Sequence, residues 1–368
     1  MGPRVVNGPC PWTDCDHFTW HILGLYRQRQ GKRALSDGVY RGRKQGSPGR
    51  EQQEVVDRAK SVKEKHADRL KRFTNVVGVG VGYEIVGGKR TDRVAIRVYV
   101  RKKLPKDQLA PDAILPDTLD GLPVDVIEDE FWIHQQPPIS LEERLVAHTF
   151  LRGGISLGNL LVGGAGTLGV SVFDNKTGQD MILSNWHVLC FSDTCQTGEP
   201  VIQPGAFDNG TEADLIAELV RAVLSPHVDA AIAQPLGQRP LFKEVWDIGF
   251  VEAASVAQLG AVVRKSGRSS GFTAGTISDI SANVDVNGYP NGAQHFVDQI
   301  VIEGNNISIP GDSGSVWIND ANEVIGLNFA GSSTRAIANH IGAVFAELDI
   351  NLSPGMSVLD WHPLVANA

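Results

Sequence analysis

The stretch Pro310-Gly311-Asp312-Ser313-Gly314-Ser315 sets a serine between glycines, immediately ahead of the apolar run Val316-Trp317-Ile318. Glycines let a chain turn sharply, so that consecutive N–H groups can converge on a developing oxyanion. A serine hydroxyl is a weak nucleophile at neutral pH. It needs a base within hydrogen-bond reach, and the base needs a group that fixes its tautomer. Two upstream segments offer these groups. Ser184-Asn185-Trp186-His187-Val188-Leu189 places a histidine directly after a strand pattern. Val228-Asp229-Ala230-Ala231-Ile232-Ala233 places an acid at the head of a small apolar strand. Each piece alone has a bland reading: a core histidine, a solvated strand end, a turn serine. Their order carries the signal, with Asp229 lying 42 residues after His187 and Ser313 lying 84 residues after Asp229. Asp214 also falls between His187 and Ser313. Its setting, Glu212-Ala213-Asp214-Leu215-Ile216, lacks a small-residue strand to pack beneath a histidine, so Asp229 is the expected orienting acid.

Around these segments the chain reads as short strands and turns. Leu168-Val170-Val172 and Met181-Ile182-Leu183 flank the turn Asp174-Asn175-Lys176-Thr177-Gly178, and residues 228–233, 261–263, 299–302, 316–318 and 324–329 also read as strands. Forty glycines and nineteen prolines agree with a turn-rich, mainly β chain. Ile341, Val344, Phe345 and Leu348 form a helical stripe near the end. In front, a helix is predicted over 51–72 from Val55, Ala59, Val62, His66, Leu70 and Phe73. Two alternating strands follow, through Val77–Ile85 and Val94–Val100, joined at Gly87-Gly88, and a third runs through residues 124–127. Gly78-x-Gly80-x-Gly82 opens no helix and is read as close backbone packing rather than a dinucleotide fingerprint. Residues 51–135 are thus expected to form a small α+β domain, behind a flexible tail at 1–50 and ahead of a linker at Gln135-Gln136-Pro137-Pro138.

Charge divides along the same boundary. Residues 1–149 carry 25 basic and 20 acidic side chains, and residues 150–368 carry 9 and 22. A basic front half can dock on an acidic back half or touch an anionic partner. No apolar run approaches the ~20 residues of a membrane span, and no secretory pattern opens the chain. The expectation is a cytoplasmic protein with no membrane or nucleic-acid partner, acting on protein or peptide, with homo-oligomerisation left open. Cys10, Cys15, His17 and His21 are candidate zinc ligands, but their spacing matches no common zinc module; no metal or other cofactor is expected. Cys190 and Cys195 are expected to be free thiols, because a cytosolic compartment keeps thiols reduced.

The histidine, aspartate and serine segments resemble the chymotrypsin/trypsin-like serine peptidases over roughly residues 160–350. The run from Val263 through Arg264-Lys265-Ser266-Gly267-Arg268 to Gly275 is similar to the start of the second barrel in bacterial members. With a small domain in front, the whole layout is similar to bacterial and plant trypsin-like peptidases of the narrow-leaf type. The resemblance implies a peptidase domain at 150–352, with one β-barrel over about 160–236, a second over about 245–350, and an active site between them. It implies His187 and Asp229 from the first barrel, Ser313 from the second, and an oxyanion hole from the N–H groups of Gly311 and Ser313. It places Ile307 at the base of the specificity pocket and Phe329, Ala330 and Gly331 along its wall, with Asp312 pointing away. A pocket so lined should take uncharged apolar residues rather than Lys or Arg, since an unpaired buried cation is costly. Leu161-Val162-Gly163-Gly164 resembles an activated N-terminus, but no basic cleavage site precedes it, so activation by a new terminus reaching Asp312 is not expected. Two other readings stay open: an inactive fold that binds peptides, and a self-processing protease with an inhibitory or chaperoning front segment.

Overall fold

The computed structural model describes residues 48–73, 75–109, 113–133, 142–251 and 253–354. The cysteine–histidine cluster at 10–21, almost all of the expected tail, and the linker at 135–138 lie outside the described residues. Helix α1 (Pro48–Lys71) precedes β1 (Val76–Val86), β2 (Lys89–Val100), β3 (Thr118–Leu119), β4 (Leu122–Glu128) and the short β5 (Phe131–Ile133). Next come β6 (Leu151–Gly153), β7 (Ser156–Asn159), β8 (Gly166–Thr167), β9 (Val170–Asp174), β10 (Asp180–Ser184), the single turn α2 (Trp186–Leu189), β11 (Pro200–Ile202), β12 (Leu215–Leu224) and β13 (Asp229–Pro235). After β14 (Leu241–Val245), β15 (Gly249–Phe250) and β16 (Ala253–Ala254), the chain forms β17 (Val262–Gly267), β18 (Gly271–Tyr289), β19 (Gly292–Glu303), β20 (Val316–Ile318), β21 (Glu323–Gly331) and β22 (Arg335–His340). Helix α3 (Ile341–Leu348) and β23 (Ile350–Asn351) end the described chain. No helix among the described residues is long and apolar enough to cross a membrane.

The expected mainly β architecture is present, with two barrels and an α+β layer in front. Strands β17, β20, β21, β22, β19 and β18 pair in that order, and β18 returns to pair with β17, closing a six-stranded antiparallel barrel. Strands β9, β10, β13, β12, β11 and β7 make the first barrel. Its ends meet where Gly154 N donates to Leu168 O and Leu168 N donates to Ile155 O. Helix α3 lays Ile341, Val344, Phe345 and Leu348 into the core shared with β9, β10 and β13.

The front layer joins the second barrel edge to edge. Strand β1 pairs antiparallel with β18, at Gly78↔Val284, Val79↔Asn283 and Gly82↔Asp279. The glycine face of β1 makes this approach, since a Cβ at Gly80 would lie 1.8 Å from Asp279 Oδ2 and one at Gly82 2.2 Å from Ser278 O. The α1 stripe differs from expectation by one position. Val55 is 42 % exposed and Val56 is buried with Ala59, Val62 and Leu70. The buried face also admits Lys63, whose Nζ donates to Ser281 Oγ and Asn283 Oδ1. A polar partner on β18 thus turns the helix away from the purely apolar stripe.

Candidate active site

The turn α2 starts directly after β10, so His187 is delivered by the end of a core strand. Strand β13 pairs with β10 at Ser184↔Ala231, which brings Asp229 at its head beneath the histidine. His187 Nδ1 and Asp229 Oδ2 are 2.6 Å apart, and His187 N donates to Asp229 Oδ1 at 3.2 Å. Both side chains are buried. Asn185 Nδ2 donates to Asp229 O at 2.7 Å, and Asp229 N donates to Asn339 Oδ1 at 3.0 Å, so backbone and side chain of the acid are both fixed. Asp214 sits elsewhere, capping a turn through Thr211 N and pairing with Arg239.

A third group reaches the acid that sequence reasoning missed. The Tyr289 hydroxyl, at the end of β18, donates to Asp229 Oδ2, and the ring lies edge-on to His187 with centroids 6.0 Å apart. Burial, reinforced by the Asp229 charge, pushes the Tyr289 phenol well above its ordinary value, so it stays a donor. Trp186, Phe296 and Phe329 continue the aromatic cluster from this ring, with Phe296 and Phe329 centroids 4.7 Å apart.

Ser313 lies at the junction of the barrels. Thr167 N donates to Ser313 O at 2.7 Å, and a Cβ at Gly166 would touch both the Val188 side chain and Ser313 O. Ser313 Oγ donates to Phe329 O at 3.3 Å. His187 Nε2 is buried and makes no hydrogen bond among the described residues. Gly311 and Gly314 have φ of 97° and 94°. A Cβ at Gly314 would lie 2.2 Å from Ser184 Oγ, and one at Gly311 would lie 2.2 Å from Ser269 Oγ, so both positions need glycine. The Asp312 carbonyl accepts from Ser315 N, Ser315 Oγ and Asn328 Nδ2. A trans peptide then aims the Ser313 N–H the opposite way.

Asp312 itself points into the second barrel. Its carboxylate takes Lys265 Nζ at 2.8 Å and the N–H groups of Ser269, Ser270 and Ile309 at 3.0 Å each. Burial alone would raise its pKa, but Lys265 and these donors outweigh burial and hold it below the ordinary carboxylate range. Lys265 is the cation paired with Asp312, and Leu161 is 69 % exposed. Beside it, the Arg268 guanidinium pairs with Asp208, and Asp208 accepts from Ser156 Oγ at 2.5 Å.

Of the expected pocket residues, Ile307 packs into the second barrel, its Cγ2 and Cδ1 against Gly304 and Gly275. Phe329, Ala330 and Gly331 follow one another on β21, all buried. The cysteines depart from expectation, since Cys190 and Cys195 form a disulfide. After α2 the chain reverses through Phe191, at φ 49°, which brings the two Cα atoms to 5.4 Å, within bridging range.

The NARROW LEAF 1 N-terminal domain family matches residues 60–132, the front layer. A Nocardiopsis protease aligns at 21 % identity over 54 % of this chain and 97 % of its own, with a TM-score of 0.42. Protease A of Thermobifida fusca aligns at 18 % identity over 54 % and 96 %, with a TM-score of 0.41. Cellulomonas bogoriensis chymotrypsin aligns at 19 % over 54 % and 96 %, with a TM-score of 0.40. No curated protein matches the chain.

Proposed function

We propose that the chain is a serine endopeptidase. Ser313 attacks the scissile carbonyl, His187 takes the serine proton and returns it to the leaving amine, and Asp229 holds the imidazole and stabilises its cation. The Gly311 and Ser313 N–H groups receive the oxyanion. The observation that carries this reading is the buried 2.6 Å contact between His187 Nδ1 and Asp229 Oδ2, which leaves Nε2 as the nitrogen for a hydroxyl proton. Tyr289 supports the same arrangement by taking a lone pair of Asp229 and fixing the carboxylate plane. Apolar Phe329 and Ala330 favour substrates with an uncharged apolar residue before the scissile bond.

The test is covalent labelling with a fluorophosphonate, with peptide hydrolysis measured alongside. Wild type should take one label, on Ser313. Ser313→Ala should take none and should lose peptide hydrolysis by at least ~10³-fold, because binding and oxyanion stabilisation alone remain. Near-wild-type turnover by the purified variant would remove Ser313 from the mechanism.

A further inference from the structure

Strand β21 has two edges. One pairs with β22 from Gly326 to Gly331. The other is covered by β20 as far as Leu327, and then by Gly314 N and Ser315 O, which bond the Asn328 backbone. The next residue, Phe329, has its carbonyl against Ser313 Oγ. Beyond it, at Ala330 and Gly331, this second edge is where an extended peptide could add a strand and reach the nucleophile. That edge is occupied by β5. Ile133 pairs antiparallel with Ala330, and Trp132 with Gly331.

The polarity of β5 matters as much as its position. From Trp132 to Ile133 the chain advances from Gly331 to Ala330, toward Phe329 and so toward Ser313. A peptide of this direction and register presents its following residue to the nucleophile, about 3.3 Å further along. That is the arrangement required of substrate residues preceding a scissile bond. The root of β5 is firmly held. Phe131 is buried, lies edge-on to Tyr99 at 5.4 Å, and pairs in parallel with Val286 of β18. Asn287 Nδ2 donates to Phe131 O at 3.5 Å. Past Phe131, the strand is held by backbone pairing on both sides, to Asn287 and to Gly331 and Ala330.

We infer that Trp132 and Ile133 occupy the substrate-backbone subsite of the chain's own active site, so that a peptide substrate binds by displacing them from β21. The inference rests on the serine peptidase reading, and it assigns the front layer a regulatory role at that site. Main-chain hydrogen bonds supply affinity to an added strand irrespective of its sequence, so an internal strand competes with every peptide substrate alike. Small acyl or phosphonyl reagents, which need no strand, are not excluded.

The test compares three readouts on the full chain. The first is the rate of Ser313 labelling by a small fluorophosphonate. The second is kcat/KM for an N-blocked tetrapeptide p-nitroanilide. The third is backbone hydrogen exchange at residues 131–133 and 330–331, with and without a tetrapeptidyl phosphonate on Ser313. Ile133→Pro removes an N–H and fixes φ, which weakens the pairing. If the strand is seated about nine-tenths of the time, this variant should raise the tetrapeptide kcat/KM about ten-fold and change the fluorophosphonate rate less than about two-fold. In wild type, the bound tetrapeptidyl phosphonate should speed exchange at 131–133 while 330–331 stay protected. Unchanged exchange at 131–133 with the tetrapeptide on Ser313 would overturn the inference, and it needs no variant to fold. An unchanged tetrapeptide rate in a folded Ile133→Pro protein would overturn it as well. Absence of fluorophosphonate labelling in both proteins would instead sink the peptidase reading, and this inference with it.

Discussion

Asp312 and Asp279 are both fully buried carboxylates in the second barrel, one at its seam with the first barrel and one at its seam with the front layer. Asp312 receives a lysine ammonium and three backbone N–H groups. Asp279 receives the N–H groups of Ser281, at 2.8 Å, and of Val81, with a long contact of 3.4 Å from the Tyr99 hydroxyl; the Arg97 and Lys63 charges act on it without an ion pair, and glycine backbone is pressed against its oxygens. The outcomes are opposite. Asp312 is held ionised below the usual range, whereas burial raises Asp279 to about 6. Burial is common to both, so the number and charge of the donors decide the sign. The seam that carries Ser313 is built from fully compensated charge, which fixes the loop bearing it. The other seam is built from close backbone approach and tolerates one poorly compensated acid.

The sharpest way to break this picture is within the first seam. Asp229→Asn keeps the shape but offers an amide to His187 Nδ1, which favours the wrong tautomer. Peptide hydrolysis should fall by about 10⁴-fold, with Asp214→Asn staying within about three-fold of wild type. Steady-state kinetics on the two purified variants checks the ranking, and the reverse order would mean that Asp214 orients the base.

Loss of compensation at Asp312 comes next. Lys265→Met leaves a buried carboxylate without its cation and should cost about 3–5 kcal/mol of stability at neutral pH, read from urea unfolding. The sign with pH follows from the depressed value. In wild type the Asp312 contribution is complete above ~4, the unfolded pKa, and is lost as pH falls through the lower folded value. Without Lys265 the carboxyl pKa should rise, so the deficit of the variant should shrink in acid. A deficit that is constant from pH 4 to 8 would show that Lys265 acts by packing against Trp317 rather than by charge.

The sequence made some of this legible and left other parts dark for definite reasons. The His187–Asp229 contact and the tight turn at Ser313 could be read because each needs a local context: the end of a strand, the head of a small-residue strand, a glycine-flanked turn. The glycine face of β1 announced a close approach but not what approaches, because antiparallel pairing with β18 leaves no periodic trace on the partner. Tyr289 reaches Asp229 from 60 residues away, at the tip of a hairpin, and nothing near it in the chain signals that role. Strand β5 is three residues long, too short for alternation to register. Cys190 and Cys195 were judged by compartment rather than by the chain reversal at Phe191, and that choice of argument missed the disulfide.

The smallest effect belongs to the second seam, where Asp279→Asn replaces the acid by a neutral group of the same shape. The folded pKa of about 6 exceeds the unfolded value. The neutral acid therefore contributes stability that is fully present below ~4 and is lost as pH rises through about 6. Between pH 4 and pH 8 this amounts to at most about 3 kcal/mol. The amide cannot ionise, so the variant should lack this loss. At pH 4 it should match wild type or fall slightly short, and at pH 8 it should be the more stable protein. Denaturant unfolding of both proteins across pH 4–8 isolates the effect, because every other titration is common to the pair and cancels in the difference. Parallel curves would mean that Arg97 and Lys63 compensate Asp279 as fully as Lys265 compensates Asp312, and the contrast between the two seams would then rest on geometry alone.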